Sequence, residues 1–104
     1  MTMRPFDILI AEDNEDDILL IREAFETVNM TNRVAVVRDG AEAMAYLRGE
    51  GSFSQCPLPG MVLLDINMPK KTGLEVLEEI KSDPRFRAIP VVILTVSERE
   101  EDIV

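Results

Sequence analysis

Met61-Val62-Leu63-Leu64-Asp65-Ile66-Asn67-Met68-Pro69-Lys70-Lys71-Thr72-Gly73 is the stretch on which the fold turns. Four apolar residues run directly into an acid, and a loop holding a proline and a glycine follows. A short apolar run bounded by turn residues reads as a strand buried on both faces. Beyond the loop, Leu74, Val76, Leu77 and Ile80 share one face of a helix, with Glu75, Glu78 and Glu79 turned outward. Asp83-Pro84 stops that helix.

The same unit recurs on either side. Phe6-Asp7-Ile8-Leu9-Ile10-Ala11 reads as a buried strand that ends in Glu12-Asp13. A helix over residues 16–29 follows, with Ile18, Ile21, Phe25 and Val28 on one face. Asp16 and Asp17 stand in its first turn, where carboxylates suit the helix dipole. Arg33-Val34-Ala35-Val36-Val37 is a second, β-branched strand, and a short helix over residues 41–47 is ended by Gly49 and Gly51. Residues 50–60, with two prolines and two glycines, form a long surface loop. Residues 89–94 are the fourth buried strand, ending in Thr95. Ser97 and Glu100 have the spacing of a capping box, opening a fourth helix within which the chain reaches Val104.

Strands alternating with helices predict an α/β fold with a doubly wound parallel sheet. Ligands of such sheets sit beyond the carboxyl ends of the strands. Glu12-Asp13, Asp65 and Thr95 all occupy such ends.

Charge and composition narrow the chemistry. The 104 residues make one domain with a modest core. Twenty acidic against eleven basic residues give a net charge of −9, which repels nucleic acid and anionic membrane. No apolar run approaches the ~20 residues of a membrane span, and the first residues do not read as a signal peptide. A lone cysteine, Cys56, makes no internal disulfide, so the expected compartment is the cytoplasm. The absence of histidine excludes imidazole metal sites and histidine acid–base catalysis.

Three carboxylates converging at strand ends repel one another unless a cation joins them. Hard oxygen ligands without imidazole or thiolate select Mg²⁺ or a similar hard cation. Such a cation neutralises an incoming phosphoryl group and leaves one carboxylate to attack phosphorus. The Thr95 hydroxyl could then hydrogen-bond a phosphoryl oxygen.

Glu12-Asp13, Asp65 to Pro69 with Gly73, and Thr95, each following its strand in register, resemble the pattern of response-regulator receiver domains. The resemblance implies the strand order 2-1-3-4-5 and phosphorylation of Asp65 by a histidine kinase or phosphotransfer protein. It implies Mg²⁺ held by Glu12, Asp13, Asp65 and the main-chain carbonyl of Asn67, with Thr95 as the switch hydroxyl. It also implies a stoichiometric phosphoacceptor rather than an enzyme. Arg48-Gly49-Glu50-Gly51 and Asn67 to Gly73 are similar in wording to single-domain regulators paired with phytochrome-type histidine kinases.

The pattern is departed from in two places. Receivers carry a fifth strand, ending in a phosphoryl-pairing lysine, and a fifth helix; these residues stop short of both, and Lys70, Lys71 and Lys81 are not placed to substitute. Val96, beside Thr95, is bulkier than the small residue the family often has there. A receiver without its fifth strand leaves residues 89–94 as an apolar edge, which is expected to pair or exchange segments with a second copy.

Two rival functions differ in kind. An aspartyl-phosphate phosphatase needs a second Asp two residues after the nucleophile, where this chain has Asn67. A purely binding or dimerisation fragment would use the fold without phosphotransfer. A calcium loop at Asp13 fails, because Ile18 and Ala24 stand where an EF-hand needs Gly and Glu. Lys70 and Lys71 are expected to be solvated loop charges.

Overall fold

The computed structural model describes residues 7–28 and 32–94. Four parallel strands, β1 (Ile8–Ala11), β2 (Val34–Val37), β3 (Met61–Asp65) and β4 (Val91–Leu94), form one sheet in the order β2-β1-β3-β4. Helices α1 (Glu15–Thr27), α2 (Gly40–Arg48) and α3 (Gly73–Ser82) connect them. The doubly wound parallel α/β reading is therefore correct over the described residues. The fourth helix, with its Ser97–Glu100 cap, lies outside them.

β1 is the central strand by composition as well as position. Ile8, Leu9, Ile10 and Ala11 are all fully buried, which is possible only where both faces of the sheet are covered. Ile8 and Ile10 point to one side, where Ile21 and Phe25 of α1 pack with Leu63. Leu9 and Ala11 point to the other, where Val62 and Leu64 meet Met44 and Leu47 of α2 and Val76 and Ile80 of α3. Each fully buried aliphatic side chain contributes roughly 1.5–3 kcal/mol relative to exposure.

Helix starts are fixed by side chains that the apolar periodicity does not report. Asn14 caps α1, its Oδ1 accepting from the N–H groups of Asp16 (2.8 Å) and Asp17 (3.1 Å). Asp39 caps α2 by accepting from the N–H of Glu42 at 2.7 Å. Thr72 and Glu75 form a reciprocal capping box at α3: Thr72 Oγ1 accepts from Glu75 N–H, and the Glu75 carboxylate accepts from Thr72 N–H at 2.8 Å. Gly49, left-handed at φ +68°, ends α2 as expected.

Several expectations are corrected. Leu74 does not join the inner face of α3 but is 56% exposed. The buried arc centres on Gly73, Val76 and Ile80, and Leu74 stands about a third of a turn from Ile80. Val28 is likewise exposed, because α1 ends at Thr27 and Val28 has left the helical stripe. β4 begins at Val91 rather than Ile89. Pro90 has no N–H to give the ladder, and the Ile89 N–H is taken by the Phe86 carbonyl. The 50–60 loop contains a 3-10 turn at Gly51–Phe53, and Phe53 and Cys56 pack on the core.

Candidate phosphoacceptor site

Glu12 leaves the end of β1 still tied to the sheet, its N–H donating to the Val37 carbonyl at 2.9 Å. That tie holds the side chain wholly inside, at 0% exposure. Its Oε2 accepts from the Asn14 N–H at 3.1 Å, and its Oε1 has no hydrogen-bond partner among the described residues. Asp13 follows and is exposed. Asp65 is the last residue of β3, buried at 1% exposure, and pairs in register with Leu94.

Register brings these three together. Ala11 is level with Leu64, so Glu12 and Asp65 are the next residues out from neighbouring strands. One carboxylate oxygen each from Glu12, Asp13 and Asp65 lie within 4.8 Å of one another. The Glu12 carboxyl is consequently pushed up from 4.5 to about 7. Burial is the main cause; the negative charges of Asp65 and Asp17 add to it, and the Asn14 hydrogen bond opposes it. All donors here are hard oxygens, and the buried, unsatisfied Glu12 oxygen is the kind of group a divalent cation would satisfy.

The loop after Asp65 is folded tightly against the strand end. The Met68 and Gly73 N–H groups both donate to the Ile66 carbonyl, at 3.2 and 2.8 Å. Met68 turns inward and is buried in the core. Gly73 lies against the Asp65 carbonyl, where any Cβ would overlap it. Lys70 is the one described non-glycine residue at positive φ, +70°. Asn67 is exposed two residues beyond Asp65.

Lys70, its side chain 70% exposed, is a solvated loop charge as expected, whereas Lys71 is more than that. Lys70 pairs with Asp39 at 3.6 Å, and Lys71 pairs with Glu79, which also receives Arg48 at 3.0 Å. Gly40, at the start of α2, is pressed against the Lys71 backbone. The loop is thus fastened to both α2 and α3. Lys81 is held elsewhere, donating to the Arg87 and Ile89 carbonyls at 3.0 Å. Thr95, with its neighbour Val96, lies outside the described residues.

Asp17, expected only as a first-turn acid of α1, is buried. It is 8% exposed, with Oδ2 buried and without a hydrogen-bond partner among the described residues. Its signal was in the sequence: Asp17 stands four residues before Ile21, at the head of the apolar stripe of α1.

Residues 8–104 match the family described as response regulator receiver domain. The chain is 43% identical over 97 residues to response regulator Rcp1 of Synechocystis sp. (strain ATCC 27184 / PCC 6803 / Kazusa), covering 93% of this chain and 66% of that protein. It therefore spans just under two-thirds of that relative's length. A crystal structure of a phosphorylated cyanobacterial phytochrome response regulator, RcpA, superposes with a TM-score of 0.84 at 51% identity, covering 96% of this chain and 71% of the other. The manganese-bound form of Rcp1 gives 0.84 at 43% identity, covering 95% and 71%. No helix among the described residues is long and apolar enough to cross a membrane. Family match, strand order and the acidic strand-end cluster agree: the chain belongs to the response-regulator receiver domains of two-component signalling, and is similar to those of phytochrome systems.

Proposed function

We propose that Asp65 accepts a phosphoryl group from the phosphohistidine of a sensor kinase or phosphotransfer protein, with Mg²⁺ bound at Glu12, Asp13, Asp65 and the Asn67 carbonyl. The observation that carries this reading is the convergence of the Glu12, Asp13 and Asp65 carboxylates within 4.8 Å at the strand ends. The kinase is of phytochrome type, a choice supported by the likeness to RcpA. The chain acts as a stoichiometric switch rather than an enzyme, in the cytoplasm, binding neither nucleic acid nor membrane.

In this reading an Asp65 carboxylate oxygen forms the bond to phosphorus as the phosphorus–nitrogen bond breaks, and the departing imidazole keeps the electron pair and takes up a proton. Bound Mg²⁺ supplies neutralisation of the phosphoryl and carboxylate charges. Glu12, tied to the sheet, and Asp13, open to solvent, hold the negative face that receives the cation. Asp65 stands at the carboxyl end of β3, where ligands of such sheets bind, so the phosphoryl group enters from the loop side. Thr95 serves as the switch hydroxyl. Gly73, Lys70 and Lys71 fasten the loop after Asp65 to α2 and α3, giving a change at Asp65 a packed route to those helices.

Incubation with acetyl phosphate and Mg²⁺ tests this. One slowly lost phosphoryl group per chain supports it; steady turnover would favour a phosphatase, and no labelling would favour a binding fragment.

A second reading concerns assembly. Among the described residues β4 is paired on one side alone, by β3, and Val92 is 43% exposed. Such an edge can pair with a second copy or exchange a segment with it. Sedimentation of a polypeptide of these 104 residues separates a pairing edge from a monomer.

A further inference from the structure

We propose that Asp17 is an outer carboxylate of the metal site, accepting a hydrogen bond from a cation-bound water and thereby setting the site's affinity. The inference deepens the metal-binding reading above and rests on it.

All three described helices carry an acid at their third position, and they use it differently; in α2 the Glu42 carboxylate accepts from the Arg38 N–H at 2.8 Å. In α3 the Glu75 carboxylate reaches back to the N–H of its cap, Thr72, and the box is closed. In α1 the residue at that place is Asp17, but the N–H of the cap, Asn14, is already given to Glu12. The donor that normally satisfies such an acid has been taken by a site carboxylate. Asp17 is nevertheless folded inward rather than released to solvent, and its buried Oδ2 has no partner among the described residues. It lies close enough to Glu12 for its negative charge to help raise that carboxyl.

A buried carboxylate oxygen without a donor costs on the order of several kcal/mol if it stays so. Once Glu12 is ionised the neighbouring residues offer little relief, since Glu12, Asp13 and Asp65 then bring acceptors. A donor has to arrive with a ligand. Asp17 is not among the three residues whose oxygens lie within 4.8 Å of one another, which places it beyond direct coordination. Mg²⁺ keeps several of its waters when protein carboxylates bind it, and those waters are strong donors at the required distance from the ion. Outer partners of this kind typically change metal affinity by about 10–100-fold.

The test titrates Mn²⁺, with Mg²⁺ as competitor, into the parent, Asp17→Asn and Asp16→Asn. Asp16 is the exposed neighbour, so its variant removes the same charge without touching the buried oxygen. Asp17→Asn is expected to weaken both cations about tenfold or more, and Asp16→Asn less than about twofold. Proton relaxation of the Mn²⁺-bound waters is expected to give the same hydration number in parent and Asp17→Asn. Thermal melting without metal reads folding in the same samples, and Asp17→Asn should melt above the parent; Asp17→Ser gives a second reading if the amide disturbs the helix start. Equal weakening in the Asp16 and Asp17 variants would reduce the effect to long-range charge and overturn the proposal. One more bound water in Asp17→Asn would make Asp17 a direct ligand and overturn it too. A parent that binds no Mn²⁺ sinks the metal reading itself, whereas binding that Asp17→Asn leaves unchanged sinks the role of Asp17 alone.

Discussion

Gly73 lies against Asp65 so closely that a single methyl group at position 73 would overlap the Asp65 carbonyl and come within 2.8 Å of the Ile66 Cα. The first residue of α3 is thereby used as a stop for the end of β3. Its N–H completes the seat by donating to the Ile66 carbonyl at 2.8 Å. Both atoms in the way are backbone, so the crowding cannot be relieved by a side-chain rotation. Gly73→Ala should destabilise the fold by roughly 1–3 kcal/mol, the usual cost of overpacking. It should also slow labelling of Asp65, because the strand end must shift. Urea unfolding and acetyl phosphate labelling, run side by side, check this; parent-like values in both would show that the two backbones are not in contact.

α3 offers a sharper comparison between periodicity and burial. Ile80→Ala removes a fully buried side chain and should cost about 2–5 kcal/mol. Leu74→Ala, on the solvent side, should stay within about 0.5 kcal/mol of the parent. Chemical denaturation midpoints separate the two, and a large loss at Leu74 would put it back on the inner face.

That pair marks the boundary of what the sequence discloses. The strands are legible because β1 and the first four residues of β3 are apolar throughout, a pattern only a doubly covered strand needs. Asp65 and Glu12-Asp13 were legible because acids directly follow those runs. Leu74 was misplaced because three leucine-like spacings fit more than one arc of a ten-residue helix, and packing against β3 chooses between them. Asp17 was hidden for a different reason. An acid in a first helical turn has a sufficient explanation in the helix dipole, which masks the four-residue spacing from Asp17 to Ile21; the structure shows Asp17 buried, its Oδ2 without a donor among the described residues. Lys71 reads as solvated from the sequence because its partner, Glu79, belongs to another element.

Repulsion within the acidic cluster should be visible without any phosphate. Asp13→Asn relieves it and should raise metal-free stability by about 1 kcal/mol, roughly 4–8 °C in Tm for a domain of this size. The parent should gain Tm with millimolar Mg²⁺, and the variant should gain much less. Melting curves that ignore both Mg²⁺ and the substitution would contradict a shared pocket.

Glu12 gives the pocket a pH signature. Its carboxyl titrates near 7 in the fold against 4.5 as an ordinary carboxyl, so between those values the native state holds a proton that the unfolded chain has released. Its contribution to stability is therefore fully present below about 4.5 and is lost as pH rises toward 7, levelling off above. In chelator, the parent should lose stability over that window relative to Glu12→Gln, whose amide does not titrate. Parallel stability curves for the two proteins across pH 4.5–7 would show that Glu12 is not held protonated.

The claim at the centre is that Asp65 is the residue that takes the phosphoryl group, and mass spectrometry reads it directly. After acetyl phosphate and Mg²⁺, the intact protein should gain the mass of one phosphoryl group, and borohydride trapping followed by peptide mapping should place it on the Met61–Asp65 strand end. Asp65→Asn should gain nothing under the same conditions. A phosphoryl group mapped to another residue in the parent, or retained in Asp65→Asn, would contradict the account.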